Sequence, residues 1–439
     1  MQIAFSEKYN KLFEILSTWD VINSKDFNSQ TKEYKNYWIE LSKIDTILLY
    51  GGRDSGKSFA ESVFIPLAVN DYKHRVLYTR YTMNSTDQSI SEALRDRIDL
   101  LGFENNFNYS NNTYEHINNG GKIFIAGQKT SSLNQTAKLK SLENFSMFVT
   151  DEADEMRTYD EWDKIRKSIR ATDVQCFSML VFNPPTYEHW IYTNLFEDKG
   201  VSEGFTGIKD NILYIHTTYL DNYDNVAEHN LRDYLRLKEL YDIYESYTFQ
   251  EKQDADPKIK RGHRTYKHVV LGGFLPNAEG VIFENWEFGE FDDSLIYIYG
   301  LDFGSRDPDA LVKVSVDNKR ELIYVDEILY LNDLGTPQLA EKIIELVGHS
   351  DRIVGDSEAK RTIRDLYDSG VNIVRCRSKN KKIDLIKKMQ GYKMIVTPRS
   401  KNVAKALNNY AWKENGNEIP LHEWSHIPDA IRYAFMEFF

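Results

Sequence analysis

Cysteine is nearly absent. Cys176 and Cys376 are the only two in 439 residues, they lie far apart, and neither belongs to a CxxC pair. That argues against a disulfide framework or a cysteine zinc site and fits a reducing compartment. Long apolar runs are missing as well: none approaches the roughly 20 residues that a membrane-spanning helix needs. The opening MQIAFSEKYNKLFEIL carries no charged-then-apolar leader, so the expectation is a soluble, unsecreted chain with no membrane partner. Positive charge is also short. A net charge of −12 speaks at first against a nucleic-acid partner, because phosphate binding is driven by Lys and Arg releasing counterions. The average hides an asymmetry, however. Between Arg352 and Tyr410 fifteen Lys or Arg stand against five Asp or Glu, a balance of +10 that leaves −22 for the remainder. Such a basic segment is either a solvated helix surface or a DNA-facing patch, and Lys379, Lys381 and Lys382 in RCRSKNKKIDLIKK are the candidates for contact with a DNA backbone.

The length points to two or three domains, each able to bury its own core. From about residue 45 to 220 short apolar runs (TILLY, RVLYT, KIFIAG, SMFVT, SMLVFN, NILYIHT) alternate with amphipathic stretches, the rhythm of a sheet with helical crossovers. The Tyr-studded RDYLRLKELYDIYESY and the proline-broken QEKQDADPKIKRGH then read as a linker. A second α/β unit follows with a different order: LIYIYGLDF, ALVKVSV and ELIYVDEILYL in close succession, a helix from Pro337, the strand RIVGD, and further helix and strand. The expected organisation is therefore an N-terminal α/β domain over 1–223, a linker over 224–264 and a C-terminal α/β domain over 265–439, to which the motifs below assign a P-loop ATPase and an RNase H-like nuclease. There is no internal repeat and no low-complexity tract.

Gly51 to Ser58, GGRDSGKS, fits G-x-x-x-x-G-K-[ST] between the strand TILLY and a helix opening at KSFAESV. Backbone N–H groups along Gly51, Arg53, Ser55 and Gly56, together with the helix N-terminus, would surround an anion. Lys57 would reach the outer phosphates and Ser58 would ligate Mg²⁺. FSMFVTDEADE supplies the acidic strand end that such a loop needs: Asp151 to hold the metal's water shell and Glu152 to orient the attacking water. The bland alternative is an acidic turn after a buried strand. Arg53 and Arg80 are candidates to offset charge on the transferring phosphoryl group, or else surface arginines. Together these residues predict ATP binding.

In the second unit Asp302 and Asp356 end strands, and Asp429 lies in the closing helix HIPDAIRYAFMEFF. Three strands, a helix, a strand and a closing helix is the layout of an RNase H-like fold, in which such carboxylates converge on paired divalent ions. Each alone could be structural, as a turn cap, an N-cap or an exposed charge. Asp326 and Glu327 are weaker candidates. His426 shares a helix face with Asp429 and suits a supporting or facultative ligand, or a hydrogen-bonded core histidine.

GGRDSGKS and VTDEAD, followed by GLDFGSRDPDALV, GDSEAKRTIRDL and HIPDAIRYAF, resemble in kind and order the large terminase subunit of tailed bacteriophages, over most of the chain. The resemblance implies an N-terminal ASCE ATPase and a C-terminal RNase H-like endonuclease using ATP with Mg²⁺, or Mn²⁺ in the nuclease site. It also implies work on double-stranded DNA, a portal protein and a small terminase subunit as partners, and a homo-oligomer on the portal. The location it implies is the cytoplasm of the infected bacterial host, with transient docking on the procapsid. Thr218, with Thr217 beside it in HTTYLDN, looks like the family's motif coupling hydrolysis to movement. Asp54 departs from the glycine often found there, and LGGFLPNAEGVIF keeps only the outline of the joining Gly-Glu-Trp motif. Two rival functions share many of these features: a repair or recombination ATPase fused to a resolvase-like nuclease, and a DNA-binding scaffold with a degenerate nuclease fold.

Overall fold

The computed structural model describes residues 5–82, 86–129, 144–156, 158–248, 251–252, 255–276, 280–304, 308–332, 334–377, 382–412, 419–421 and 424–439. The chain divides into two compact units, Met1–Leu275 and Pro276–Phe439.

The first unit is built on a sheet of nine strands: β1 (Thr46–Gly51), β2 (Arg75–Thr82), β3 (Phe107–Ser110), β4 (Thr113–His116), β5 (Lys122–Lys129), β6 (Met147–Asp151), β7 (Phe177–Phe182), β8 (Gly207–Lys209) and β9 (Ile212–Thr217). Their order across the sheet is β3-β4-β5-β2-β6-β7-β1-β9-β8. The six strands from β5 to β9 in that order pair in parallel, and antiparallel pairings add β3, β4 and β8 at the edges. β1 and β7 are buried along their whole length. This is why they read as unbroken apolar runs: parallel strands covered on both faces need no polar alternation. Successive residues serve opposite cores, Ile47 and Leu49 joining Phe64 and Val149 on one face while Leu48 and Tyr50 join Trp162 and Phe196 on the other. β7 stands between the strand that feeds the glycine-rich loop and β6, which ends in Asp151. This is the ASCE arrangement expected above.

The segment read as a linker belongs to this unit. Residues 224–264 contain the helix Glu228–Ser246 and most of Pro257–Thr265, and the compact unit continues to Leu275, so the division falls eleven residues beyond the expected one. Tyr219, Tyr234, Tyr266 and Val270 form a small buried core under these helices. Tyr234, which looks like surface decoration in a charged helix, buries its ring here, and Tyr241 packs partly against the same core.

The second unit has seven strands: β10 (Trp286–Phe288), β11 (Tyr297–Asp302), β12 (Asp309–Asp317), β13 (Leu322–Leu331), β14 (Ile353–Gly355), β15 (Ile373–Arg375) and β16 (Lys393–Val396). They lie in the order β10-β16-β13-β12-β11-β14-β15, with β11, β12 and β13 antiparallel and β14 and β15 parallel to β11. This is the RNase H-like layout. The helix His426–Phe435 lies across β11 and is buried throughout. Gly300 permits that approach, for a Cβ there would stand 1.8 Å from the carbonyl oxygen of Ala430. Any larger residue at 300 would push the helix off the sheet, a strain of about 1–3 kcal/mol or more.

Candidate active sites

In the first unit the loop after β1 turns through left-handed backbone at Asp54 (φ 54°) and Gly56 (φ 83°) before the helix Lys57–Tyr72 begins. The N–H of Gly52 donates to Thr217 O at 3.1 Å and that of Arg53 to Val269 O at 2.9 Å. These two amides hold the loop in place, and the cradle that faces an anion is left to the stretch from Ser55 into the helix. Ser55 is buried, and its Oγ has no hydrogen-bond partner among the described residues. An orphaned hydroxyl at the mouth of a helix N-terminus fits a phosphate oxygen. Gly272 closes the loop from behind, since a Cβ on it would stand 2.3 Å from Gly51 C and Gly52 N.

Lys57 is buried, and its Nζ donates to Gly52 O at 2.9 Å and Asn183 Oδ1 at 2.7 Å. Burial pulls its pKa down to about 8, against the opposing charges of Asp154, Asp151, Glu61 and Asp54. Asp151 ends β6 and Arg80 stands on the neighbouring β2. Arg80 Nη2 lies 2.5 Å from Asp151 Oδ2 and 3.5 Å from Glu152 Oε1, so in this state its charge stands against the two carboxylates. Ser58, Glu61, Arg80 and Asp151 line one pocket, which places the hydroxyl and carboxylate expected around Mg²⁺ on a common wall. Glu152 adopts φ 53°, a left-handed conformation uncommon for residues other than glycine. Thr217 is fully buried, and the Tyr9 hydroxyl lies 3.2 Å from Thr217 Oγ1 and 3.1 Å from Ser55 O, so the end of β9 touches the loop directly. Thr218 caps the following turn in a reciprocal pair with Asp221.

Sequence reasoning missed several of these partners. Asn183 was signalled only by a polar residue ending SMLVFN. Burial pushes Asp154 up to about 7, and its charge is the foremost influence opposing the fall at Lys57. Glu61, one helical turn past Lys57, is wholly enclosed; burial raises it well above the usual carboxylate range, and its Oε1 has no partner among the described residues.

In the second unit Leu301 of β11 pairs with Gly355 of β14, so Asp302 and Asp356 each come one residue later at the ends of adjacent parallel strands. Asp302 is buried; His426 Nδ1 lies 2.6 Å from its Oδ2, and the Tyr433 hydroxyl donates to its Oδ1 at 3.1 Å. Burial raises its pKa, His426 opposes the rise, and the charge of Asp429 adds to it. Asp309, at the start of β12, is pushed up to about 6 by burial, partly offset by the Gly304 N–H, with the charge of Asp302 adding to the rise. Asp309 and Tyr433 escaped the sequence reading, although Tyr433 sits seven residues from His426 on the same helix face.

Lys382 has a partner that the sequence did not signal: its Nζ lies 2.8 Å from Asp429 Oδ2, which pairs it with the carboxylate site in this state. Arg432 donates to the other oxygen at 3.1 Å. Lys379 and Lys381 lie outside the described residues. Asp356 Oδ1 accepts the N–H of Glu358 at 3.0 Å, in the turn before the helix Lys360–Asp368, whose N-cap is Ala359 and not Asp356 as the structural alternative expected. Asp326 pairs with Arg399 and Thr397, while Glu327 accepts the N–H groups of Asn402 and Val403, so both have structural partners. Among the described residues no three His, Cys, Asp or Glu side chains come together as a metal-holding group. The donor set nevertheless suits a hard divalent cation: burial, with the charge of Asp429 adding, raises Asp302; burial, with the charge of Asp302 adding, raises Asp309; and cationic side chains already stand against Asp429.

Residues 43–272 match the family model for the phage terminase large subunit, and residues 302–437 match that for the terminase RNase H-like domain. The large terminase subunit of Bacillus phage SPP1 is 26% identical over 415 residues, covering 88% of this chain and 90% of the relative. Among solved structures, the large terminase of bacteriophage HK97 covers 93% of this chain and 94% of its own at 11% identity and a TM-score of 0.47. The SPP1 large terminase nuclease domain with bound Mn covers 36% of this chain and 98% of its own at 26% identity and a TM-score of 0.33.

Proposed function

The chain belongs to the phage terminase large-subunit family, and on that premise we propose how its two units divide the work of packaging. The protein is a viral DNA-packaging motor that hydrolyses ATP and cuts DNA. The observation carrying the residue assignments is the pairing of two separate charge systems in one chain: a buried lysine and an orphaned hydroxyl at a helix N-terminus, and a buried carboxylate set at the ends of β11 and β12 and on the C-terminal helix.

In the first unit Ser55, Gly56 and Lys57 would bind the phosphates of ATP, and Ser58 with Asp151 would hold Mg²⁺. Lys57 swaps Gly52 O and Asn183 for phosphate oxygens, and Glu152 orients and accepts a proton from the attacking water. Arg80 leaves the carboxylates as the nucleotide arrives, while Gly51 and Arg53 shape the loop. Thr217, whose carbonyl already holds the Gly52 N–H, and the adjoining Thr218 carry the change in loop position to the rest of the unit. In the second unit Asp302 and Asp429 would hold the divalent cation, with Asp356 completing the site from β14. A bound Mg²⁺ or Mn²⁺ supplies Lewis-acid stabilisation of the phosphate being cut. His426 and Tyr433 fix the carboxylate of Asp302, and Lys382 moves from Asp429 towards the DNA backbone.

The substrate is double-stranded DNA. The partners are a portal protein, on which copies of the chain assemble, and a small terminase subunit, in the cytoplasm of the infected host. The domains are an ATPase domain ending at Leu275 and a nuclease domain from Pro276. The test is dissociation of the two activities in the full chain. Lys57→Ala should lower ATP turnover by roughly 10²–10³-fold or more while Mn²⁺-dependent plasmid nicking persists, and Asp302→Ala should do the reverse. Turnover near wild type in Lys57→Ala, or nicking at the wild-type rate in a folded Asp302→Ala, would refute the corresponding assignment.

A further inference from the structure

Asp54 is an odd residue for its place. A loop that cradles phosphate is weakened by a carboxylate of its own, and the charge of Asp54 is felt at Lys57. One of its carboxylate oxygens and its backbone oxygen are, however, claimed from elsewhere. Oδ2 accepts from Asn230 Nδ2 at 2.7 Å and from the Tyr234 hydroxyl at 2.8 Å, and Asn222 Nδ2 donates to the backbone oxygen of Asp54 at 2.9 Å. Asn230 and Tyr234 lie one turn apart on the helix Glu228–Ser246, so a single helix face presents both donors. The ring of Tyr234 is buried beside Tyr219, with centroids 5.2 Å apart, which holds its hydroxyl in position.

We propose that Asn230 and Tyr234 are positioning residues for nucleotide binding: they hold the Asp54 carboxylate off the phosphate cradle, making affinity for a nucleoside triphosphate depend on the helix Glu228–Ser246 being docked on the loop. The inference rests on the reading of Gly51–Ser58 as the ATP site. When the two donors are lost, the carboxylate is released to turn towards a cradle already surrounded by Asp151, Asp154 and Glu61. Electrostatic repulsion of phosphate is then the expected result, while the grip of Asn222 on the backbone keeps the turn intact. Asp54 also tolerates its left-handed φ as an asparagine would, so neutralising it leaves the loop shape alone.

The experiment measures the Kd for ATP-γ-S and the steady-state KM and kcat for ATP in the full chain. The variants are Asn230→Ala/Tyr234→Phe, the same pair with Asp54→Asn, and Lys57→Ala. Phenylalanine keeps the buried ring, so the first variant removes donors rather than packing. The donor-less variant should bind about tenfold more weakly, with KM rising in parallel and kcat within about twofold of wild type. Adding Asp54→Asn should restore the Kd to within about threefold of wild type, because the amide carries no charge to repel phosphate. An unchanged Kd in the donor-less variant, or a loss that Asp54→Asn fails to repair, would overturn the proposal. Wild-type affinity in Lys57→Ala would instead overturn the ATP-site reading beneath it.

Discussion

The anion site proposed for the first unit is made mainly of backbone, whereas the cation site proposed for the second is made of side chains from neighbouring strands and a helix that are far apart in the sequence. The cradle at Ser55–Ser58 needs only a strand, a turn with left-handed residues and a helix start, and all three are formed in this structure, with the buried Ser55 hydroxyl left without a partner among the described residues. The charge of Asp302 acts on Asp309 and that of Asp429 on Asp302, and nearby protein groups already pair with two of them: Lys382 and Arg432 with Asp429, His426 and Tyr433 with Asp302. A site that binds anions can thus be built in advance by local geometry, while one that binds cations by clustered carboxylates must be held by substitute partners until the metal arrives.

The sharpest way to break this contrast is Glu152→Gln. If the first site is assembled, an isosteric amide should leave ATP and Mg²⁺ binding near wild type yet lower hydrolysis by roughly 10²-fold or more, because it cannot take a proton from water. Steady-state turnover assays alongside ATP-γ-S titration give both numbers. Hydrolysis unchanged in this variant would remove Glu152 from the chemistry.

Next in size is Lys382→Ala. If Lys382 acts as a substitute cation on Asp429, removing it should lower the Mn²⁺ concentration for half-maximal nicking by several-fold to about tenfold. A variant needing more Mn²⁺ would show that the ion pair supports the site rather than blocking it. DNA affinity at fixed salt, measured on the same protein, separates this effect from loss of a backbone contact, which would lower the salt slope of binding by about one unit.

Much of this architecture was legible in the sequence because its signals are local. Buried parallel strands such as TILLY and SMLVF announce themselves as apolar runs, and Lys57 and Asp151 lie at fixed places relative to them. What stayed hidden depends on contacts between residues far apart in the chain. Asn183 meets Lys57 across the sheet, and Asn230 and Tyr234 reach Asp54 from a helix that composition alone made a linker. Tyrosine misled there because its ring packs while its hydroxyl bonds, so a Tyr-rich charged helix can cover a neighbour as well as face solvent. The pairing of Lys382 with Asp429 was hidden for the converse reason: a run of lysines reads as one surface, and only the fold brings one of them to a buried carboxylate. Asp309 is one carboxylate among many in the sequence, and only the fold brings it within the field of Asp302.

The smallest effect expected, and the one that tests pre-assembly most directly, is the pH dependence of ATP-γ-S binding. Burial sets the Lys57 pKa at about 8 in the ligand-free protein, below that of a free lysine, whereas bound phosphates must raise it. Binding is tightest to the ammonium form. Affinity should therefore hold steady as pH rises from neutrality to about 8, then fall by at most about tenfold per pH unit until the pKa of the complex is passed. The sign follows from proton linkage, since the complex keeps a proton that the free protein has begun to lose. Lys57→Arg should flatten the profile, even if it binds more weakly throughout, because guanidinium stays charged across the range. Were Lys57 instead held in a solvated, loosely formed loop, its pKa would stay near that of free lysine and the decline would begin roughly two pH units higher. A wild-type profile flat to about pH 10 would thus place the lysine outside the buried cradle and dissolve the contrast between the two sites.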